Sequence, residues 1–248
     1  MTADSPTAAR ISAPRRGLDG ALLRAWRAQD LRLRVIDRQE VAASFLRLQV
    51  DVGDLLHRED VYPTYWLRLW FTRPDGKGHQ RAYTLVDPDP GSGTAWIEFY
   101  LHPGIASDWA RAARPGDEID ASILNGRSPV ASDPPHLLLI GDGASVPAIA
   151  DTLRRAPGIP ATVLLERGRP DDEEVLPLPR REGASIAWFD RDGSIEAAAL
   201  AAAASAPAGT VCVVALEAAG TRAVGRALRT RARIPKEHLH ALAYWRHS

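Results

Sequence analysis

Ser132-Asp133-Pro134-Pro135-His136-Leu137-Leu138-Leu139-Ile140-Gly141-Asp142-Gly143-Ala144-Ser145 decides the fold, because the hydrophobic pattern changes within it. The Pro-rich start is a break, and the wholly apolar run over 136–140 ending in glycine reads as a strand buried on both faces. A helical pattern follows over 146–155, and 161–165 is again a short apolar run. Further buried strands are predicted over 185–189, 210–216 and 239–243, with helices over 195–204 and 217–231. Continuous apolar strands alternating with helices require a parallel sheet covered on both sides.

Upstream of the break the pattern differs. Leu31, Leu33 and Val35 alternate with Arg32 and Arg34, and Phe45, Leu48 and Val50 alternate with polar residues in the next run, as in half-buried strands. The stretch 65–71, the segment 81–86 and the segment 95–102 are strand-like, with turns expected at 74–78 and 87–91. Short strands with Pro and Gly punctuation make an antiparallel barrel or sandwich. The expected organisation is therefore an N-terminal tail and short helix over 1–30, a β-barrel domain over 31–134 and an α/β domain over 135–248.

The 248 residues suffice for two cores, and 45% hydrophobic with 25% charged residues is an ordinary globular balance. Thirty-one basic and thirty-one acidic residues cancel, so no global field draws the protein to nucleic acid or an anionic membrane. The opening stretch has no apolar core of signal-peptide length, and no window approaches the roughly 20 apolar residues that span a bilayer. A soluble, cytoplasmic protein is expected. A single cysteine, Cys212, excludes a disulfide within the chain and a thiolate zinc site, and its apolar strand makes it a core residue.

Candidate chemistry sits at few places. Gly141-Asp142-Gly143-Ala144-Ser145 lies at a strand end before a helix, where backbone amides meet anionic nucleotides, although tight strand-to-helix turns also use glycine without any ligand. Arg81-Ala82-Tyr83-Thr84 brings together a guanidinium, an aromatic face and a hydroxyl, suited to a phosphate, a planar ring and its polar edge. His102-Pro103-Gly104-Ile105-Ala106-Ser107-Asp108-Trp109-Ala110 reads as a loop entering a helix, with Ser107 as its cap. The acidic run Asp171-Asp172-Glu173-Glu174 reads as a solvated turn and not a metal site, and no metal is expected. No G-x-S-x-G elbow and no H-x-x-x-H spacing is present.

In this order the segments resemble the siderophore-interacting protein family, flavin-dependent ferric-siderophore reductases within the ferredoxin-reductase-like group. The landmarks are Arg81-Ala82-Tyr83-Thr84, the run from His102 to Ala110, Pro115-Gly116-Asp117, Gly141-Asp142 followed by Val146-Pro147-Ala148-Ile149, and Tyr244-Trp245-Arg246. The resemblance implies FAD as cofactor, with NAD(P)H or another donor supplying electrons to a chelated Fe(III). It implies that Arg81 faces the phosphate-ribityl side, that Tyr83 packs on the isoalloxazine and that Thr84 bonds near N5. It also implies that His102, Gly104, Ala106, Ser107 and Trp109 line the pyrophosphate and adenine side. Asp142 and Ser145 would belong to the cofactor-binding turn, and Tyr244 and Trp245 would approach the second flavin face. Aromatic core membership is the alternative for the last two.

Three positions depart from the family pattern. Val86 stands where a second arginine is common, Ala144 where a threonine is, and Ala215-Leu216 where a Gly-Glu pair is. The leading expectation is thus a reductase of a ferric siderophore or similar chelate, with Arg68, Arg127, Arg246 and His247 offering charge at its rim. The alternative is a redox-silent member that binds or cyclises a small metabolite, with flavin structural or absent. Either way the partner is a small molecule, and the oligomeric state is left open.

Overall fold

The computed structural model describes residues 29–123, 128, 130 and 133–246. Residues 1–28 of the expected tail and short helix, and the rim candidates Arg127 and His247, lie outside the described residues. The first half is a closed antiparallel barrel of β1 (Gln29–Ala42), β2 (Phe45–Asp51), β3 (Trp66–Thr72), β4 (Gly78–Asp89), β5 (Thr94–Tyr100) and β6 (Glu118–Ile123). Their order round the barrel is β1-β2-β5-β4-β3-β6, with β6 pairing back onto β1. The alternation read in the sequence sets the faces: Leu33, Val35, Leu46, Leu48 and Val50 fill the interior, while Arg32 and Arg34 stay in solvent. The four-residue α1 (Leu55–Arg58) and α2 (Ile105–Ala112) close the barrel with Leu55, Ala106 and Ala110.

The second half is a parallel sheet in the order β11-β10-β7-β8-β9, formed by β7 (Leu137–Asp142), β8 (Ala161–Glu166), β9 (Ala184–Phe189), β10 (Val211–Ala215) and β11 (Leu239–Ala241). Helix α3 (Val146–Arg155) packs with Leu139 and Val163 on the face towards the barrel. On the opposite face lie α5 (Ser194–Ser205) and α6 (Ala218–Thr230), packed on Leu138, Ile140 and Val214. The short α4 (Asp172–Val175) follows β8. Cys212 is fully buried in this core, and burial pushes its thiol up to about 11.

Local expectations change at three places. Strand β4 runs on through Asp89 where a turn was read, because an irregularity after Val86 absorbs Pro88 and puts Asp87 at φ 47°. The helix after His102 is capped by Gly104 and not by Ser107. The acidic run is not uniformly solvated: Asp172 is fully buried, for the reason given below.

Candidate functional site

The Arg81-Ala82-Tyr83-Thr84 segment lies on β4 against β3, with Thr84 opposite Trp66 and Tyr83 opposite Leu67. Opposed residues share a face, so Thr84 and Trp66 look out of the barrel while Tyr83 turns into its mouth. There Tyr83 packs on Phe99, ring centroids 4.5 Å apart, and on Phe71 at 6.2 Å. Trp109 of α2 closes the group at 5.7 Å from Phe71 and 6.3 Å from Phe99. Burial lifts the Tyr83 phenol well above its ordinary range. Arg81 is exposed and donates to the Gln80 carbonyl at 2.9 Å; no carboxylate pairs with it among the described residues.

The loop into α2 has its own geometry. Gly104 sits at φ 143°, a conformation that L side chains rarely adopt, and no side chain caps the helix. Buried Ser107 accepts from the His102 amide at 3.1 Å, folding the loop back on the first turn, while His102 itself is exposed. The first-turn amides beside Ala106 thus have no side-chain cap, with Arg81 on the same half.

Across from β4, the C-terminal segment is laid along the end of β10 by three backbone bonds. Leu242 N donates to Val214 O at 2.9 Å, Tyr244 N to Leu216 O at 3.0 Å, and Ala218 N to Trp245 O at 3.0 Å. The Tyr244 phenol lies beside Thr84, and burial pushes it up to about 12. Trp245 turns the other way. Its indole Nε1 donates to Asp142 Oδ2 at 2.7 Å, and the Arg191 guanidinium lies 5.1 Å from its ring.

The glycine turn after β7 is filled by the protein itself. Ser145 Oγ accepts from Asp142 N at 2.9 Å and donates to Asp142 O at 2.9 Å, and Asp142 Oδ1 accepts from Ala144 N at 3.0 Å. Burial raises the Asp142 carboxyl against the Trp245 and backbone bonds that favour its charge. A Cβ on Gly141 would lie 2.0 Å from Ser145 Oγ, and one on Gly143 2.6 Å from the Tyr100 ring. Tyr100 comes from the barrel strand β5, and its hydroxyl reaches Asp172 at 2.9 Å while Arg169 stacks on its ring at 4.6 Å. Asp172 is buried because it also accepts from the amides of Gly168 at 2.7 Å and Arg169 at 2.9 Å.

The three departures from the family pattern are now placed. Val86 is fully buried, and the next residue, Asp87, is held by Arg47 of β2 and Arg154 of α3, each at 2.7 Å. Ala144 brings no hydroxyl of its own, and the turn's hydroxyl is that of Ser145, bonded to Asp142. Leu216 is buried, and Glu217 caps α6 through its side chain on the Ala219 amide. This charged cluster, with buried Glu98 and Asp151, went unread in the sequence because its members come from four separate elements.

Two family models match the chain: the siderophore-interacting FAD-binding domain over 55–125 and the siderophore-interacting protein over 134–248. The chain belongs to the siderophore-interacting protein family. It carries that family's FAD-binding domain and is homologous to ferric-siderophore reductases. It is 35% identical over 242 residues to the mycobactin import ATP-binding/permease protein IrtA of Mycolicibacterium thermoresistibile, covering 93% of this chain and 26% of that one. This chain therefore spans about a quarter of the length of that relative. Ferric vibriobactin reductase ViuB of Vibrio cholerae is 28% identical over 216 residues, 83% of this chain and 73% of ViuB. The siderophore-interacting protein from Acinetobacter baumannii superposes with a TM-score of 0.74 at 23% identity, covering 88% and 90% of the two chains, a likeness of fold. Among the described residues no helix is long and apolar enough to cross a membrane, and no group of metal-ligating side chains is assembled.

The residues present fit a flavin dinucleotide. An exposed arginine without a carboxylate partner and a helix start with no side-chain cap match an anionic pyrophosphate, and the hydroxyls of buried Thr84 and half-buried Tyr244 match a polar ring edge.

Proposed function

We propose that this siderophore-interacting protein is a cytoplasmic FAD-dependent reductase of a ferric siderophore or similar Fe(III) chelate, with residues 31–134 as the flavin unit and 135–248 as the nucleotide unit. The observation that carries the reading is the approach of the motif strand to the C-terminal segment across the two halves: Trp66, paired with Thr84, and Tyr244 line one cavity. Bound flavin supplies the electron reservoir, taking two electrons from a donor and passing them singly to ferric iron. The chain's own residues bind and orient. Arg81 and the first turn of α2, from Gly104 to Ser107, hold the phosphates, with His102 and Trp109 beside them. Tyr83, fixed by Phe71 and Phe99, forms a rigid wall under the ring. Thr84 would offer its hydroxyl near N5, and Tyr244 would cover the other face and exclude water.

Purified protein reconstituted with FAD should show the flavin bands in the visible. Its dithionite-reduced form should be reoxidised anaerobically by a ferric chelate, with Fe(II) captured by a chromogenic ligand. A protein that stays colourless after reconstitution, or a reduced flavin that no ferric chelate reoxidises, overturns the proposal.

One observation favours the alternative in which nicotinamide-driven redox is lost. The crevice beyond the strand ends, where a nucleotide docks in such sheets, is filled by Tyr100 against Gly143 and by Trp245 on Asp142. Anaerobic NADH or NADPH separates the two readings: bleaching of the flavin supports a nicotinamide donor. Bleaching by dithionite alone supports a different donor or a redox-silent role.

A further inference from the structure

The crossover helices leave part of the sheet bare. Helix α3 covers the barrel-side face of β7 and β8, whereas α5 and α6 lie on the far face. On the barrel-side face of β10, Val211 is buried in the α3 cluster and Val213 is only partly covered by it, and no helix among the described residues covers that face of β11. In the parallel register Val213 is opposite His240, so both point to that bare face, as does Leu242 two residues on. Leu242 is 59% exposed, a large apolar side chain without cover. Facing it across a gap are Tyr62 and Trp66 of the barrel rim and Ile149 and Thr152 of α3, enclosing a cavity of about 260 Å³.

We propose that this cavity is a subsite for one uncharged aromatic arm of the iron chelate. The inference rests on the chelate-reductase reading above and specifies its substrate class. Continuity is the first argument. Tyr244 lines the cavity, and so does Trp66, which stands opposite Thr84 in the β3–β4 register, so the cavity opens beside the proposed N5 position. A chelate anchored there would hold its iron next to the reduced ring. Charge is the second argument. Among the described residues no carboxylate, lysine or arginine lines the cavity, and burial together with His238 lowers the pKa of His240. A charged group would lose hydration there with nothing to replace it. Size is the third. Benzene occupies an apolar cavity of about 150 Å³, whereas pockets for whole drug-sized ligands run from about 300 Å³ upward. A space of about 260 Å³ thus takes one aryl group and excludes a dinucleotide. A nicotinamide ring would also fit by volume, and the donor KM of the variants below separates the two occupants.

The test uses two neutral complexes that differ only in the aryl group, ferric tris-benzohydroxamate and ferric tris-acetohydroxamate. They are reduced by the dithionite-reduced, FAD-loaded full chain, and their redox-inert gallium(III) analogues are titrated against tryptophan fluorescence. The expected preference for the benzohydroxamate is about tenfold in half-saturating concentration and in gallium-complex affinity. Leu242→Glu, at the exposed mouth, and Val213→Phe, which fills the space, should each bring that ratio within about twofold, with acetohydroxamate reduction and the flavin spectrum unchanged. Equal handling of both complexes by the unsubstituted protein overturns the subsite. So does a preference that survives both substitutions, or variants that instead raise KM for a nicotinamide donor. Failure to reduce either complex overturns the reductase reading. The gallium titration still decides the subsite in that case.

Discussion

Arg81 and Gly143 show two ways in which a single residue is constrained. Arg81 is held by one bond to a neighbouring carbonyl and presents the rest of its guanidinium to solvent, so its removal costs the fold little. If it binds the flavin phosphate, Arg81→Ala removes a charge-assisted hydrogen bond of about 1.5–3 kcal/mol. FAD affinity should fall by about tenfold to a hundredfold at unchanged Tm, measured by equilibrium dialysis. Unchanged affinity would take Arg81 out of the site. Gly143 is the opposite case: the ring of Tyr100 occupies the volume of a Cβ, only 2.6 Å away. Gly143→Ala should destabilise by about 1–3 kcal/mol in a denaturant titration. In a Tyr100→Ala background the same substitution should cost much less, since the overlap is with that ring alone. This glycine was legible in the sequence as part of a strand-to-helix turn. Its reason was not, because Tyr100 lies in the other half of the chain and no local pattern links them. Ser107 was legible as belonging to the helix start, but Gly104 took the cap because its φ of 143° is costly for any residue with a side chain.

At the scale of elements, β2, β4, β5 and α3 meet in the charged cluster around Glu98. Arg47 and Glu98 are directly opposed across β2 and β5, with Arg47 Nε 2.9 Å from Glu98 Oε1. Glu98 is 3% exposed, and burial outweighs Arg47 and Arg154, pushing its carboxyl from 4.5 up to about 7, with Asp87 and Asp151 adding to the rise. The raised value means that the folded protein holds a proton that the unfolded chain releases. Its contribution is fully present below about pH 4.5 and is lost as pH rises through about 7. Glu98→Gln keeps an acceptor for Arg47 and removes the titration. Relative to this variant, the unsubstituted protein should lose up to about 3 kcal/mol between pH 4.5 and 8, read as diverging Tm values. Parallel Tm curves would show that Glu98 stays ionised throughout. The strands themselves were legible wherever a period of two was unbroken, as in Leu33 and Val35 between arginines. The extension of β4 past Val86 was not, since Pro88 and the two aspartates read as a turn until Arg47 and Arg154 are seen to hold Asp87.

At the scale of the whole molecule, the sequence divides into two patterns but the cores do not divide with it. Phe45, at the start of barrel strand β2, is fully buried in the cluster that contains Leu137, Leu139, Val146 and Ile149 of the second half. Asp151 of α3 accepts from the Thr64 amide at 3.1 Å, and Tyr100 inserts between Gly143 and Gly168. Apolar, ionic and hydrogen-bonded contacts therefore all cross the boundary, and neither half completes its packing alone. Unfolding should be a single transition. Trp96 of β5 and Trp188 of β9 give a probe in each half, and single-tryptophan versions should report coincident denaturant midpoints. Phe45→Ala sharpens the test, because cavity creation at a fully buried phenylalanine costs about 3–5 kcal/mol. If the halves are coupled, amide hydrogen exchange should accelerate alike at Leu69 in β3 and Leu139 in β7, although only Leu139 shares a core with Phe45. Protection retained at Leu69 and lost at Leu139 would show two independently stable units. The flavin cleft would then sit on a hinge and not on a rigid frame. Coupling is what the proposed chemistry requires, since Thr84 and Tyr244 belong to different halves and the ring must be gripped from both sides.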